Sequence, residues 1–131
     1  MTQLSKAKRK EVTKEIEVIA SKVEINTDTL VENVSQGFTV IPTNGKQKNL
    51  KPLGIGKDLR IKVNANIGAS SDKSNLAREL EKLDNAVRAG ADTVMDLTIL
   101  SKQKYMDDIR EAIIENCEVP IGTVPIYQAA F

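Results

Sequence analysis

Val87-Arg88-Ala89-Gly90-Ala91-Asp92-Thr93-Val94-Met95-Asp96-Leu97 joins the end of an amphipathic helix to a short apolar strand, and this junction sets the fold class. Upstream of it, Leu76, Leu80, Leu83 and Val87 fall on one helical face, and Asp84 and Arg88 are spaced to pair across one turn. Gly90 stands where a left-handed residue would end that helix. Residues 93–97 are short and apolar enough for a strand buried on both faces. Further upstream, Leu59-Arg60-Ile61-Lys62-Val63-Asn64-Ala65 predicts a first strand. Further downstream, Ile109, Ile113 and Ile114 form the inner stripe of another helix. Residues 120–127 then predict a last strand, in which Pro120 and Pro125 would interrupt the hydrogen-bond ladder.

The strand runs start about thirty residues apart with a helix in each gap, which is the rhythm of right-handed βαβ units in a parallel sheet. A (β/α)8 barrel and a doubly wound sheet both have that rhythm, and periodicity does not choose between them. A complete barrel needs roughly 250 residues, so the barrel reading leaves about three of the eight units in this chain, an incomplete fold.

The region before the first strand reads differently. Ile16, Ile19, Ala20 and Val23 recur at helical spacing behind Thr13, which is placed to cap the helix. A second short helix follows, capped by Asn26 or Thr27, striped by Leu30, Val31 and Val34, and ended at Gly37. Residues 38–42 are briefly extended, and residues 43–57, rich in Asn, Gly, Lys and Pro, read as a surface loop. The expected division is therefore an N-terminal helical segment and loop, 1–57, followed by the first βα units of a truncated barrel, 58–131. The expected class is α/β, a partial TIM-type barrel of about three parallel units behind two short helices.

Composition excludes several roles. A chain of 131 residues fits one ordinary domain. With 19 basic and 18 acidic residues it lacks the electrostatic footprint of a nucleic-acid surface. The Lys6, Lys8, Arg9, Lys10 cluster reads as a solvated helix face or frayed terminus. No apolar run approaches the eighteen or so residues of a membrane span, and the N-terminus lacks a signal-peptide core. One cysteine and no histidine preclude an internal disulfide, a multi-cysteine metal site and the commonest general base. A reducing cytoplasm fits this cysteine usage best.

Ligands of parallel folds bind where strands run out at their carboxyl ends. The residues there are Asn64-Ala65-Asn66-Ile67-Gly68-Ala69-Ser70-Ser71, then Met95-Asp96-Leu97-Thr98, then Gly122-Thr123-Val124-Pro125-Ile126-Tyr127-Gln128. Each also has a plain structural role. Asn66 could shape a turn, Met95 could fill core, and Tyr127 could pack with its hydroxyl at the surface. Asp96 reads as a cap for a neighbouring helix rather than a ligand. Exposed amides after Gly68, with Ser70 and Ser71, could hold an anion, but no phosphate-loop lysine motif accompanies them. Cys117 reads as a plug at a helix end.

Three stretches, Lys62-Val63-Asn64-Ala65-Asn66-Ile67-Gly68, Gly90-Ala91-Asp92-Thr93-Val94-Met95-Asp96-Leu97 and Val119-Pro120-Ile121-Gly122-Thr123-Val124-Pro125-Ile126-Tyr127-Gln128-Ala129, resemble successive signatures of the phosphomethylpyrimidine synthases in order and spacing. The opening Met1-Thr2-Gln3 and residues 37–42 resemble the start of that family's shorter form. The resemblance implies a cytoplasmic barrel lyase of thiamine biosynthesis. Such an enzyme converts 5-aminoimidazole ribotide to hydroxymethylpyrimidine phosphate, using S-adenosylmethionine and a [4Fe-4S] cluster, with zinc also bound. It further implies substrate-binding roles for Asn66, Met95 and Tyr127, and none of these is a catalytic acid or base.

The family's cysteine triplet, zinc-binding histidines and acidic and arginine substrate contacts have no counterpart here, so this chain lacks the ligands for those metals. Where the family continues after its second signature with Ser-Thr-Gly, this chain reads Thr98-Ile99-Leu100-Ser101-Lys102-Gln103-Lys104, about three residues longer. That loop would line the substrate face, and branched residues in place of a glycine-bearing turn would reduce the backbone's freedom to approach a ligand. The expectation is a truncated synthase, inactive alone, that self-associates through an uncovered sheet edge. The alternatives are a non-catalytic ribotide-binding or partner-pairing module and a fragment of a hydroxybenzimidazole synthase paralogue.

Overall fold

The computed structural model describes residues 1–44, 47–70, 75–100 and 103–129. The chain divides into two compact units, Met1–Thr43 with Pro52–Ile61, and Asn44–Lys51 with Lys62–Phe131.

The first unit holds three helices, α1 (Gln3–Ala7), α2 (Lys14–Val23) and α3 (Thr27–Ser35), and two short strands, β1 (Thr39–Val40) and β2 (Ile55–Gly56). Each helix starts at a side chain that satisfies amides the first turn leaves open. Thr2 and Ser5 form a capping box on α1. Thr13 Oγ1 accepts from Ile16 N–H at 3.3 Å, and Asn26 Oδ1 accepts from Asp28 N–H at 2.8 Å and Thr29 N–H at 3.2 Å. Behind the caps, Ile16, Ile19, Ala20, Leu30, Val31 and Val34 meet Ala7 and Ile41 in one apolar cluster. The sequence predicts two helices here and the structure has three. The basic run conceals α1, whose single buried residue is Ala7. The expected loop 43–57 also contributes β2, which pairs antiparallel with β1, Thr39 opposite Gly56.

The second unit is a parallel sheet in the order β3-β4-β5. In chain order it runs β3 (Asn64–Ile67), α4 (Leu76–Arg88), β4 (Thr93–Asp96), α5 (Gln103–Asn116), β5 (Ile121–Thr123) and α6 (Pro125–Ala129). Asn75 caps α4, accepting from Ala77 N–H at 2.9 Å. The helix closes on Gly90 at φ +95°, a left-handed position that glycine takes without strain. The core gathers Ile67 and Val94 from the sheet, Leu83 from α4 and Met106, Ile109 and Ile113 from α5, with Cys117 just past the end of α5. Val94, Met106, Ile109 and Ile113 are fully buried, and each such side chain contributes on the order of 1.5–3 kcal/mol.

Three expectations about the strands are corrected. The first strand begins at Asn64 rather than Leu59, and Ile61 is 92% exposed. The amino end of β4 sets that start. Asp92 Oδ2 accepts from Val63 N–H at 2.9 Å, and Asp92 N–H donates to Val63 O at 2.8 Å, and the pairing with β4 begins at the next residue, Asn64 opposite Thr93. Second, β4 is buried on one face only, because Val94 and Asp96 alternate with half-buried Thr93 and Met95. Third, the predicted strand 120–127 stops at Thr123, and Pro125 opens α6. Proline is suited to a first helical position, where its fixed φ fits and its missing N–H has no partner to lose.

Gln47 and Lys51 are tied to the segment that follows α5. Gln47 Nε2 donates to Cys117 O and to Val119 O, both at 2.9 Å, and Lys51 N–H donates to Glu118 O at 2.8 Å. No helix among the described residues is long and apolar enough to cross a membrane.

Candidate functional site

Side chains alternate along a strand, and the register of the sheet sorts them into two sets. Ala65, Ile67, Val94, Asp96, Ile121 and Thr123 lie on one face, from which Ile67 and Val94 pack into the core with α4 and α5. Asn64, Asn66, Thr93, Met95 and Gly122 lie on the other. On this second face Asn66 is exposed and Met95 half-buried.

Polar contacts organise the second face. Thr93 Oγ1 donates to Asn64 Oδ1 at 2.9 Å, and Asn64 Nδ2 donates to Asn66 Oδ1 at 2.9 Å. The Asn66 carbonyl oxygen is thereby engaged, and its Nδ2 hydrogens have no acceptor among the described residues. Beside it Met95 extends over β5. A Cβ added at Gly122 would lie 2.7 Å from Met95 Cε and 3.0 Å from Sδ, so the absence of a side chain there is what lets the thioether lie flat. The face thus offers an amide donor next to a polarisable apolar wall.

The carboxyl ends of β3 and β4 are tied together behind this face. Gly68 has φ +146°, and a Cβ there would meet Leu97 C at 2.7 Å and Thr98 N at 2.8 Å, so only glycine allows the two strand exits to approach this closely. Glu79 of α4, fully buried, accepts from Gly68 N–H at 3.2 Å and from Lys82 Nζ at 2.7 Å. Lys82 Nζ also donates to Gly68 O at 3.0 Å. One step along, Ala69 N–H donates to Thr98 Oγ1 at 3.2 Å, and Thr98 N–H and Oγ1–H donate to Asp96 Oδ1 at 2.9 and 2.5 Å. Arg110 Nε of α5 reaches Asp96 Oδ2 at 3.2 Å.

Asp96 therefore does not cap a neighbouring helix, as its position at a strand end suggests. It is fully buried and holds the exit of its own strand to α5. Glu79 carries no sequence signal for this role beyond its place in the first turn of α4. The helical pattern shows it as one more polar residue.

Tyr127, expected on the third strand, lies in α6 with its N–H donating to Val124 O at 3.1 Å. The register brings Asn66 and Met95 together, whereas Tyr127 lies off the sheet in α6, the helix that directly follows β5. Ser71 of the possible anion site lies outside the described residues, and α4 begins only at Leu76. In the loop after β4, Thr98 and Leu100 are buried and Ile99 is half-exposed. Ser101 and Lys102 of that loop lie outside the described residues.

Among the described residues no group of three or more His, Cys, Asp or Glu is placed to hold a metal. Cys117 is fully buried and its thiol donates to Val119 O at 3.2 Å. Burial raises the pKa of that thiol above its usual value, which keeps it protonated and a poor metal ligand.

Known proteins resemble this chain along its whole length. The sequence model of the Radical SAM ThiC family matches residues 2–131. The chain belongs to the Radical SAM ThiC family. The phosphomethylpyrimidine synthase of Thermococcus gammatolerans is 49% identical over 130 residues, covering 99% of this chain and 30% of that protein. The synthases of Carboxydothermus hydrogenoformans, at 46%, and Dehalococcoides mccartyi strain BAV1, at 48%, align over the same 130 residues and the same shares. This ThiC-family chain thus spans about 30% of the length of the curated relatives it matches. The three stretches whose wording resembled the family lie within the matched region, and they supply β3, β4 and β5 with α6.

Proposed function

We propose that this chain forms part of a phosphomethylpyrimidine synthase of thiamine biosynthesis, and that the open face of β3-β4-β5 is a substrate face for 5-aminoimidazole ribotide. The alignment carries the reading: nearly every residue of the chain is matched by synthases at 46–49% identity. Asn66 would donate its Nδ2 hydrogens to a polar atom of the ribotide, Met95 would wall the imidazole, and Tyr127 would add a ring edge and a hydroxyl. The sheet is read as the first units of a (β/α)8 barrel with Asn66 and Met95 on the inner side, which fits a helix-backed outer face and an opposite face with exposed amides.

The family name implies S-adenosylmethionine and an iron–sulfur cluster. An iron–sulfur cluster takes several cysteine thiolates, and the residues of this chain do not fit it, because the one cysteine is buried and held to Val119. These residues offer substrate binding and shielding. They do not offer the cofactor's chemistry, and they include no zinc-binding histidine. Among the described residues the outer edges of β3 and β5 pair with no strand, and open edges of this kind recruit other chains. The isolated chain is accordingly expected to self-associate, which size-exclusion chromatography checks.

Calorimetry with aminoimidazole ribotide tests the function. The expected result is binding that Asn66→Ala weakens by about tenfold, the worth of one well-made hydrogen bond. No heat at millimolar ligand would remove the substrate-face reading.

A further inference from the structure

We infer that Glu79 and Lys82 are positioning residues for the candidate site: together they fix the exit of β3, and through it the carboxamide of Asn66. The inference deepens the substrate-face reading and rests on it only for the ligand.

Gly68 lies two residues beyond Asn66, and both polar groups of its backbone are held from α4. Its N–H donates to Glu79 Oε2 at 3.2 Å and its carbonyl accepts from Lys82 Nζ at 3.0 Å. The two side chains, one turn apart, close the loop through a 2.7 Å ion pair. A buried carboxylate is costly unless paired and hydrogen-bonded, and Glu79, fully buried, spends its two oxygens on Lys82 and on the Gly68 amide. Simple helix stability does not call for this. A leucine in its place would extend the apolar stripe of α4, so the charge is explained by what it holds.

What it holds is a strand exit under geometric constraint. Gly68 sits at φ +146° against Leu97 and Thr98, and the next residue, Ala69, is joined through Thr98 to Asp96 and Arg110. The exits of β3 and β4 therefore move as one piece, tied to α4 at one end and α5 at the other. On the far side of Asn66, its carboxamide is oriented by Asn64 and Thr93. Asn66 is held between two anchors, and Glu79 with Lys82 is the one that reaches it through the backbone.

The experiment compares the wild-type chain with Glu79→Gln, Lys82→Met, Lys82→Arg and Ile113→Val by ribotide calorimetry, thermal melting and amide nuclear magnetic resonance without ligand. Ile113→Val, on α5 rather than α4, opens a small cavity in the same core and controls for lost stability. The inference predicts that Glu79→Gln and Lys82→Met weaken ribotide binding about tenfold, that Lys82→Arg restores most of it, and that Ile113→Val lowers the melting temperature with affinity unchanged. In the ligand-free spectra, Glu79→Gln should shift the Asn66 side-chain amide and speed exchange of the Gly68 amide. Ribotide affinity that falls equally in Ile113→Val, or Asn66 resonances unmoved in Glu79→Gln, overturns the positioning role. If the wild-type chain binds no ribotide, the substrate-face reading fails by itself, and the ligand-free spectra still decide the positioning role.

Discussion

Asn66 and Met95 stand opposite one another in the parallel pairing of β3 with β4, on the sheet face that carries Asn64, Thr93 and Gly122. Residues paired across neighbouring strands point the same way, so the amide and the thioether share one surface whatever the rest of the protein does. Their neighbour Gly122 gives Met95 room. Gly122→Ala should push the thioether aside at a cost in stability of about 1 kcal/mol, the low end for overpacking, because the clash is with a flexible side-chain end. The check is ribotide affinity measured beside a denaturation curve, with affinity expected to fall several-fold.

Gly68→Ala should be far more damaging. Its added Cβ meets backbone atoms of Leu97 and Thr98 rather than a movable side chain, at a positive φ that alanine rarely adopts. A loss of at least about 2 kcal/mol is expected in urea denaturation, with the midpoint lowered.

The buried Asp96–Arg110 pair predicts a second large loss. Asp96→Ala removes the acceptor that Thr98 and Arg110 share in the core. Breaking a buried ion pair from one side costs about 3–5 kcal/mol, and a thermal melt of Asp96→Ala should fall well below that of the exposed-pair variant Asp84→Ala. The Asp84–Arg88 pair is solvent-exposed and contributes about 0.5 kcal/mol at most.

The architecture was legible in the sequence to different depths. Helix starts followed from Thr13 and Asn26, whose short polar side chains mark a first turn locally, and the helix-to-strand junction around Gly90 marked the parallel units. Strand ends were not legible. Where β3 begins depends on Asp92 gripping Val63, a contact between residues 29 apart, and no local pattern encodes it. Residues 120–127 look strand-like by valine and isoleucine content, but three residues pair with β4 before Pro125 turns the chain into α6. The shared face of Asn66 and Met95 needed the register, and the roles of Glu79, Lys82 and Arg110 needed the tertiary structure, because each is a polar residue on a helix whose partner lies at the end of a strand or just past it.

Two titrating groups give opposite pH signatures. The Glu15 carboxyl is held below its usual value, chiefly by a hydrogen bond from Gln3 and also by its own backbone. Its contribution is present above the ordinary carboxylate range and is lost as pH falls through the depressed value. Glu15→Gln should flatten the acid side of the stability profile, and Gln3→Ala should raise the Glu15 titration midpoint seen by magnetic resonance.

Cys117 behaves in the reverse sense. Burial raises its thiol pKa, so its contribution is full below the ordinary thiol range and is lost as pH climbs from there through the raised value. The native chain should react with iodoacetamide at least tenfold more slowly than the urea-unfolded chain at the same pH.

Resonance mapping of aminoimidazole ribotide on the labelled chain tests whether one face of β3-β4-β5 receives the ligand. The Asn66 side-chain amide and the Met95 methyl should shift together and saturate with one dissociation constant. Shifts confined to the helix-covered side, at residues such as Leu80 and Val87, or saturating ligand with both probes unmoved, would contradict it.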